Sequence, residues 1–293
     1  MKTKIFIWGI LTQLSISTNA QQGGNFLYGQ NYNQTFGKES ATDKRFLTDS
    51  TFTIEGSVLM NVIADSYVAT FGVAEESTTL KDCNEKIEKR IQGFTAELLK
   101  LGVAQTDIYI DMTTQNKIFD YKMNGNVAEQ FLKGFELKKN VIVKFKKIID
   151  LDEMVISASN FQIYDLVKVD YVVDDINKYY VQLFQSAMEI INQKKGLYVA
   201  ATSAKLLPTS EIYGESFYSY YPSQLYKSYT AYSSSEVYDY NTTKKDMRKS
   251  PTYYYDKINY SGFDKIINPI VTEPTVEFVL TLQIKFQIEK AKK

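Results

Sequence analysis

Carboxylates, tyrosines and a single cysteine are the side chains of this sequence that could do chemistry. The 293 residues include 34 acidic and 34 basic side chains, 23 tyrosines, one cysteine (Cys83) and no histidine. The absence of histidine excludes three kinds of site: a catalytic triad with an imidazole base, a zinc ion bound by histidine and a haem bound by histidine. One cysteine likewise excludes an intrachain disulfide framework and a metal cage of thiolates.

The two pairs of adjacent acids, Glu75-Glu76 and Asp174-Asp175, are the first candidates for acid–base catalysis. Each pair precedes a predicted helix, where carboxylates accept hydrogen bonds from free N–H groups and are stabilised by the helix dipole. A catalytic pair needs two different environments in one cleft, which neighbouring positions do not indicate. We therefore predict no catalytic residue, no metal site and no cofactor. The alternative, an enzyme that uses carboxylates or tyrosines, would need a pocket that joins two acidic groups to a tyrosine hydroxyl.

Tyrosine is concentrated between residues 211 and 260, which hold 13 of the 23. Tyrosine and serine together make an adaptable contact surface, because a rigid ring with a polar tip stands beside a small hydrogen-bonding side chain. One interpretation is that the rings pack on their own sheet or belong to a partly disordered loop. The other is a surface that binds a sister subunit, another exported protein or a glycan. The candidate binding residues are Tyr218, Tyr220, Tyr221, Tyr226, Tyr229, Tyr253, Tyr254 and Tyr255.

Residues 1–20 are typical of a secretory signal peptide. A basic start is followed by a mostly apolar stretch over 5–14, and Thr18-Asn19-Ala20 fits a cleavage site. No cysteine lies near the cleavage point, so we predict an exported protein, periplasmic or extracellular, that is not a lipoprotein. Residues 21–50 are predicted to be a polar leader.

Charge balance and hydropathy narrow the choice of partners. Equal numbers of acidic and basic side chains argue against a nucleic acid, which attracts a basic surface. No stretch after the signal peptide reaches the roughly 18 consecutive apolar residues that a membrane-spanning helix needs. We therefore expect no nucleic-acid partner and no transmembrane helix after signal cleavage.

Two long helices are predicted from apolar residues that recur every three or four positions. The first helix follows Ser77-Thr78-Thr79, which offer N-caps, and ends at Gly102. Cys83 lies on its apolar stripe, as a packed side chain rather than a reactive thiol. The second helix begins after Asp174-Asp175 and ends or kinks near 194–196. The two stripes are Leu80, Cys83, Ile87, Ile91, Phe94, Leu98 and Leu101, and then Ile176, Tyr179, Leu183, Ala187 and Ile190.

Alternating apolar residues predict the strands between and after these helices. Two strands are predicted over 107–121 and 135–148, joined by a turn around 124–126. A last alternating run over 276–288 must pair with the earlier sheet. Residues 205–272 are therefore predicted to be a tyrosine-rich insertion before the last strand of one domain, 51–293.

Four short motifs, in this order, resemble the SIMPL-domain family of secreted and periplasmic proteins. The motifs are Ile54-Glu55-Gly56-Ser57-Val58, Ala64-Asp65-Ser66-Tyr67-Val68-Ala69, Leu101-Gly102-Val103 with Asp107-Ile108, and Phe135-Glu136-Leu137 through Asp150-Leu151-Asp152. The sequence departs from the family at Ala64, where proline is usual, and in its tyrosine-rich segment. The resemblance implies an α+β fold in which two long helices pack against an antiparallel sheet.

The resemblance also implies an envelope or extracellular location, homo-oligomers and a loose association with stress resistance, without established catalytic residues. We therefore expect a non-enzymatic exported envelope protein that works as a homo-oligomeric assembly or interaction protein. The alternative is a binding module whose tyrosine- and serine-rich insertion captures a glycan or another exported protein.

Overall fold

The computed structural model describes residues 46–48, 50–229, 251–269 and 272–289, which form two units of sheet and helix. The predicted signal peptide and most of the predicted leader lie outside these ranges. The strands are β1 (Phe46–Thr48), β2 (Thr51–Val62), β3 (Ser66–Ser77), β4 (Ile108–Asn124), β5 (Val127–Phe145), β6 (Asp165–Val172), β7 (Leu206–Tyr220), β8 (Tyr226–Tyr229), β9 (Thr252–Tyr255), β10 (Lys265–Ile267) and β11 (Val276–Ile288). The α-helices are α1 (Leu80–Lys100), α2 (Asp150–Asn160), α3 (Ile176–Thr202) and the short α4 (Pro222–Leu225).

The first unit packs α3 on one face of the sheet β1-β2-β11-β7. β2 and β11 pair antiparallel along their whole length, and β10 adds a short parallel pairing to β2. Alternate side chains of β2 and β11 face α3, so Ile54, Leu183 and Phe278 are fully buried together. Gly56 permits this close approach, because a Cβ there would lie 2.7 Å from the carbonyl oxygen of Ala187.

The second unit packs α1, with α2 beside it, on the sheet β4-β5-β3-β6. The Thr79 hydroxyl caps α1 by accepting a hydrogen bond from the N–H of Asp82 at 3.2 Å. Gly102 ends the helix region with a φ of +90°, a conformation that suits glycine. The predicted apolar stripe is confirmed at its fully buried centre, which comprises Cys83, Ile87, Ile91, Phe94 and Leu98.

Arg90 of α1 binds the helix to both of its neighbours. One terminal nitrogen of its guanidinium lies 2.8 Å from the Glu75 carboxylate and donates to the carbonyl oxygen of Ala74 at 2.7 Å. Its Nε donates to the carbonyl oxygen of Phe161 at 3.1 Å.

The acidic pair Glu75 and Glu76 lies within β3. The helix-capping prediction is wrong for this pair, because the chain continues as a strand to Ser77 before α1 begins.

The two units are joined where the chain crosses between them twice, side by side. At the first crossing the N–H of Asp65 donates to the carbonyl oxygen of Val172 at 2.9 Å. The Asp65 carboxylate accepts a hydrogen bond from the N–H of Asp174 at 2.9 Å, at the second crossing. Asp175 then caps α3 by accepting from the N–H of Lys178 at 3.0 Å, which confirms the capping prediction for that residue.

The α+β class with antiparallel strands is confirmed, with three differences of detail. The core strands form two sheets, one for each long helix, instead of a single sheet, and β8 and β9 form a separate two-stranded sheet. Residues 206–220 form β7 and pair with β11, so the segment 205–272 begins with a core strand. Serine and tyrosine in β7 obscure the apolar alternation that would have indicated it. Helix α3 also continues past 194–196 to Thr202, because the exposed Gly196 is accommodated without a break.

Beyond β7 the chain folds back over the face of the first sheet that is opposite α3. There the fully buried Glu277 carboxylate accepts hydrogen bonds from the Tyr255 hydroxyl at 2.7 Å and the Ile258 N–H at 3.1 Å. The side-chain amide of Asn61 donates to the Tyr260 hydroxyl at 3.0 Å. Burial raises the pKa of Glu277, and burial together with the hydrogen bond to Glu277 raises the pKa of the Tyr255 hydroxyl.

Tyr255→Phe is expected to lower the free energy of unfolding by about 1.5–3 kcal/mol, because the buried Glu277 carboxylate loses one of its two donors. Urea unfolding at pH 7 measures this. The pKa of Tyr255 is raised above its ordinary value of 10.0 in the folded protein. The wild type should therefore lose stability as the pH rises beyond about 10, and the variant should lose less.

Tyr254→Phe is the matched control, because Tyr254 is the preceding residue and its side chain is 48% exposed, in contrast to the half-buried Tyr255. It should unfold at the same urea concentration as the wild type. Equal destabilisation by the two substitutions would contradict a specific role for the hydroxyl of Tyr255.

Candidate functional site

The second sheet carries a two-stranded projection, because β4 and β5 are longer than the strand beside them. β4 has 17 residues and β5 has 19, whereas β3 has 12. The pairing of β3 with β5 stops at Ser77 opposite Phe135. Within the described chain, the strand residues from 118 to 134 therefore pair only with each other. We call residues 118–134 the arm, which extends over roughly 24 Å.

The start of α1 sets the point where the arm leaves the sheet. Because Thr79 caps the helix, the chain turns away from the sheet directly after Ser77 and offers β5 no further neighbour. Gly134 faces this turn, and a Cβ on it would lie 2.4 Å from the carbonyl oxygen of Ser77. The register between β4 and β5 shifts at the same place, which leaves Lys133 as an extra residue on β5. A glycine and a bulge thus separate the arm from the packed part of the sheet.

Apolar side chains of the arm are exposed to solvent. Phe119, Tyr121 and Met123 alternate along β4 and share one face with Leu132, which is paired with Phe119 on β5. These four residues are here called the apolar face of the arm, and each is between 46% and 65% exposed. The opposite face carries the charged residues of the arm with two further exposed apolar side chains, Val127 and Phe131.

The eight tyrosines selected from the sequence fall into two groups. Five are half-buried and three are exposed, and the exposed ones are on β7, β8 and β9. The half-buried residues are Tyr220, Tyr221, Tyr226, Tyr253 and Tyr255. The exposed residues are Tyr218, Tyr229 and Tyr254.

The half-buried tyrosines help to hold the chain that follows β7 against the two units. The ring centres of Tyr226 and Tyr255 are 6.0 Å apart, and the hydroxyl of Tyr226 shares a hydrogen bond with Tyr171 of β6. Burial raises the pKa of Tyr226, and burial raises that of Tyr220 as well, which is paired with Glu277 across β7 and β11. These contacts give the half-buried group a packing role, whereas the side chains of the exposed group remain open to solvent.

The depressions of the described surface can be compared with the pocket that an enzyme would need here, one that joins two acidic groups to a tyrosine hydroxyl. Two open depressions of the described surface have volumes of about 330 and 340 Å³, and the lining of neither joins two acidic groups to a tyrosine hydroxyl. Tyrosine hydroxyls do meet single carboxylates, as Tyr180 does with Glu215 at 2.7 Å. In the ranges that the structure describes, no three acidic or cysteine side chains group as metal ligands.

The sequence analysis did not select the arm, although its signal is present. The predicted strands stopped at residue 121 and resumed at 135, so most of the arm was assigned to a turn region. The alternation of Phe119, Tyr121 and Met123 continues into the turn at Gly125 and would have extended the first strand. Nothing in this alternation shows that the neighbouring strand is too short to cover it.

Comparison with known proteins gives a family and no curated relative. A family model matches residues 52–260, and its description is SIMPL, protein of unknown function (DUF541). No curated protein matches the chain significantly. Among the residues with a described structure, no helix is long and apolar enough to cross a membrane.

Gly134→Ala is expected to lower the free energy of unfolding by about 1–3 kcal/mol, because its methyl group collides with the backbone at Ser77. Thermal or urea unfolding measures the change. Gly196→Ala is the control: a Cβ there meets nothing within 4 Å, and alanine in a helix is favoured over glycine by up to about 1 kcal/mol. If Gly134→Ala is neutral or stabilising, the arm does not leave the sheet as described.

Proposed function

The chain belongs to the SIMPL family, and we propose that it is a non-enzymatic, exported envelope protein that assembles with copies of itself through the arm. The core units are the scaffold in this proposal, and the arm is the contact surface. The association of the family with stress resistance is carried over from the resemblance alone.

The exposed apolar face of the arm is the observation that carries the proposal. An isolated two-stranded ribbon is marginally stable in water, so a long one gains by pairing or packing with a partner. Its strand edges also present free N–H and C=O groups, which readily pair with another strand. Contiguous exposed apolar side chains of this kind are typical of interaction sites. Assembly would shield part of the apolar surface of Phe119, Tyr121 and Met123, which otherwise remains in contact with water.

The proposed export is supported by the sequence of residues 1–20, which lie outside the described residues. A basic start, a short apolar stretch and small residues before Gln21 are typical of a signal peptide. That sequence and the family resemblance support a location in the periplasm or the extracellular space. The proposal assigns no reaction and no cofactor to the chain.

A second candidate function is capture of a glycan or of another exported protein by the exposed tyrosines. Tyr229 and Tyr254 lie on the same face of the small β8–β9 ribbon, since Lys227 pairs with Tyr254 and Tyr229 pairs with Thr252. Tyr218 of β7 is exposed as well. Exposed tyrosines of this kind supply rigid rings with a hydrogen-bonding tip to a partner.

Replacing Phe119, Tyr121 and Met123 together by serine is expected to weaken self-association by at least tenfold, because most of the apolar face is lost. Sedimentation velocity over a micromolar concentration range, on protein purified after export, measures the change. Circular dichroism should show an intact fold, since these side chains do not belong to either buried core.

The matched control replaces Tyr229 and Tyr254 by serine, which removes similar exposed rings from a different surface. It should leave the sedimentation profile unchanged. A wild type that stays monomeric throughout the range would contradict the proposal. If only the control variant loses association, the tyrosine surface is responsible instead of the arm.

A further inference from the structure

We propose that two copies of this chain pair antiparallel through the outer edges of β4, centred on Tyr121, and form one four-stranded sheet. The inference rests on the proposed function and adds to it the edge, the direction and the register of the contact. The partner is a second copy of the same chain.

The outer edge of β4 offers, at alternate residues, backbone groups that do not pair with β5. The arm closes with a two-residue turn in which Asn124 pairs with Val127, so those two residues exchange hydrogen bonds. Along β4 the N–H and C=O groups of Met123, Tyr121 and Phe119 then point away from β5. The N–H of Tyr121 donates to the carboxylate of its own neighbour Asp120 at 2.9 Å, which agrees with this direction. In the pair it would exchange this acceptor for a carbonyl oxygen of the second copy.

Two identical strands that pair antiparallel about a twofold axis obey a strict rule of register. Side chains directly opposite each other point to the same face of a sheet. An axis perpendicular to the sheet must therefore place one residue opposite its own copy, and residues at equal distances before and after it face each other. Only a few centres exist within the arm, and each predicts a definite set of pairs.

Centring on Tyr121 is the choice that brings opposite charges together. Asp120 then faces Lys122 of the second copy, and Lys122 faces Asp120 of the second copy. Phe119 faces Met123 of the second copy on the apolar face. Opposite charges and apolar pairs directly across from one another stabilise antiparallel strands.

Neighbouring centres lack this match. Centring on Asp120 places Ile118 opposite Lys122 and Lys117 opposite Met123. Centring on Phe119 places Ile118 opposite Asp120. Each of these registers puts an apolar side chain opposite a charged one.

The charge of the whole arm also favours a second copy as the partner. Residues 118–134 contain two acids, Asp120 and Glu129, and two bases, Lys122 and Lys133, which gives a net charge of zero. A strongly acidic or basic partner would find no complementary field there. On an isolated edge, the charged side chains of Asp120 and Lys122 deter pairing with unrelated strands. A copy of the arm places a further opposite charge directly across from each of them, in addition to Lys133 and Glu129 of the same arm.

Two variants that each reverse one charge of the arm test the register, first separately and then as a mixture. Asp120→Lys places lysines opposite each other in a self-pair, and Lys122→Asp places aspartates opposite each other. Each variant alone should self-associate about tenfold more weakly than the wild type at low salt, where charges are least screened. An equimolar mixture should restore association, because every lysine of one variant then faces an aspartate of the other.

The mixture separates a register effect from damage to the arm itself. Asp120 also lies 3.5 Å from Lys133 within the arm, and Lys122 is opposite Glu129. Local damage from losing these contacts would persist in the mixture. Restored association supports the proposal, and variants that associate like the wild type, or a mixture that stays weak, overturn it.

A cysteine pair tests the centre directly. Tyr121→Cys should form a disulfide between residue 121 of each copy under mild oxidation, because Cα atoms of a hydrogen-bonded antiparallel pair are about 5.5 Å apart. Tyr109→Cys is the matched control on the same strand, with 64% exposure against 63% for Tyr121, and it should not cross-link to itself. Both variants keep the native Cys83, which is fully buried and should therefore not take part in cross-linking.

The outcomes distinguish this inference from the proposed function. Association through the arm without a 121–121 cross-link overturns the register and leaves the proposed function standing. A wild type that remains monomeric overturns both. Equal cross-linking at positions 109 and 121 indicates random collision and also overturns the register.

Discussion

The shortness of β3 relative to β5 is the constraint from which the surface of this protein follows. Thr79 ends the strand by capping α1, while β5 keeps a partner in β4 for another eight residues. A sheet edge without a neighbour exposes backbone groups and side chains together. The arm is therefore a consequence of where one helix begins, and Gly134 makes the crossing at Ser77 sterically possible.

Polar contacts stabilise each of the two units that support the arm and also join the units where the chain crosses between them. Asp65 binds both crossings between the units, and Arg90 binds α1 to β3 and to the end of α2. Glu277 anchors the chain after β7 on the first sheet. The contacts of Glu277 matter most, because Glu277 is fully buried and a buried polar group that loses its partner costs more than the contact itself contributes. These contacts stabilise the two packed units and do not involve the arm.

Local sequence patterns predicted most of the fold and little of the candidate site. The stripe through Cys83 and Leu98 predicted α1, and alternation in β11 predicted the last strand, because periodicity reports directly which side chains are buried. The separation into two sheets depends on pairing between distant residues, which no local pattern contains. The same limit applies to the arm. The apolar alternation of Phe119 and Tyr121 is readable, whereas their exposure depends on the length of β3.

Amide hydrogen exchange by NMR at increasing protein concentration is the most direct test of the claim that the outer edge of β4 is the assembly surface. The account predicts slower exchange at higher concentration for Phe119, Tyr121 and Met123, whose N–H groups point away from β5. The amides on the other edge of the arm, at Ala128, Gln130 and Leu132, should be unaffected. If the exchange rate depends on protein concentration at none of the six positions, the account is contradicted.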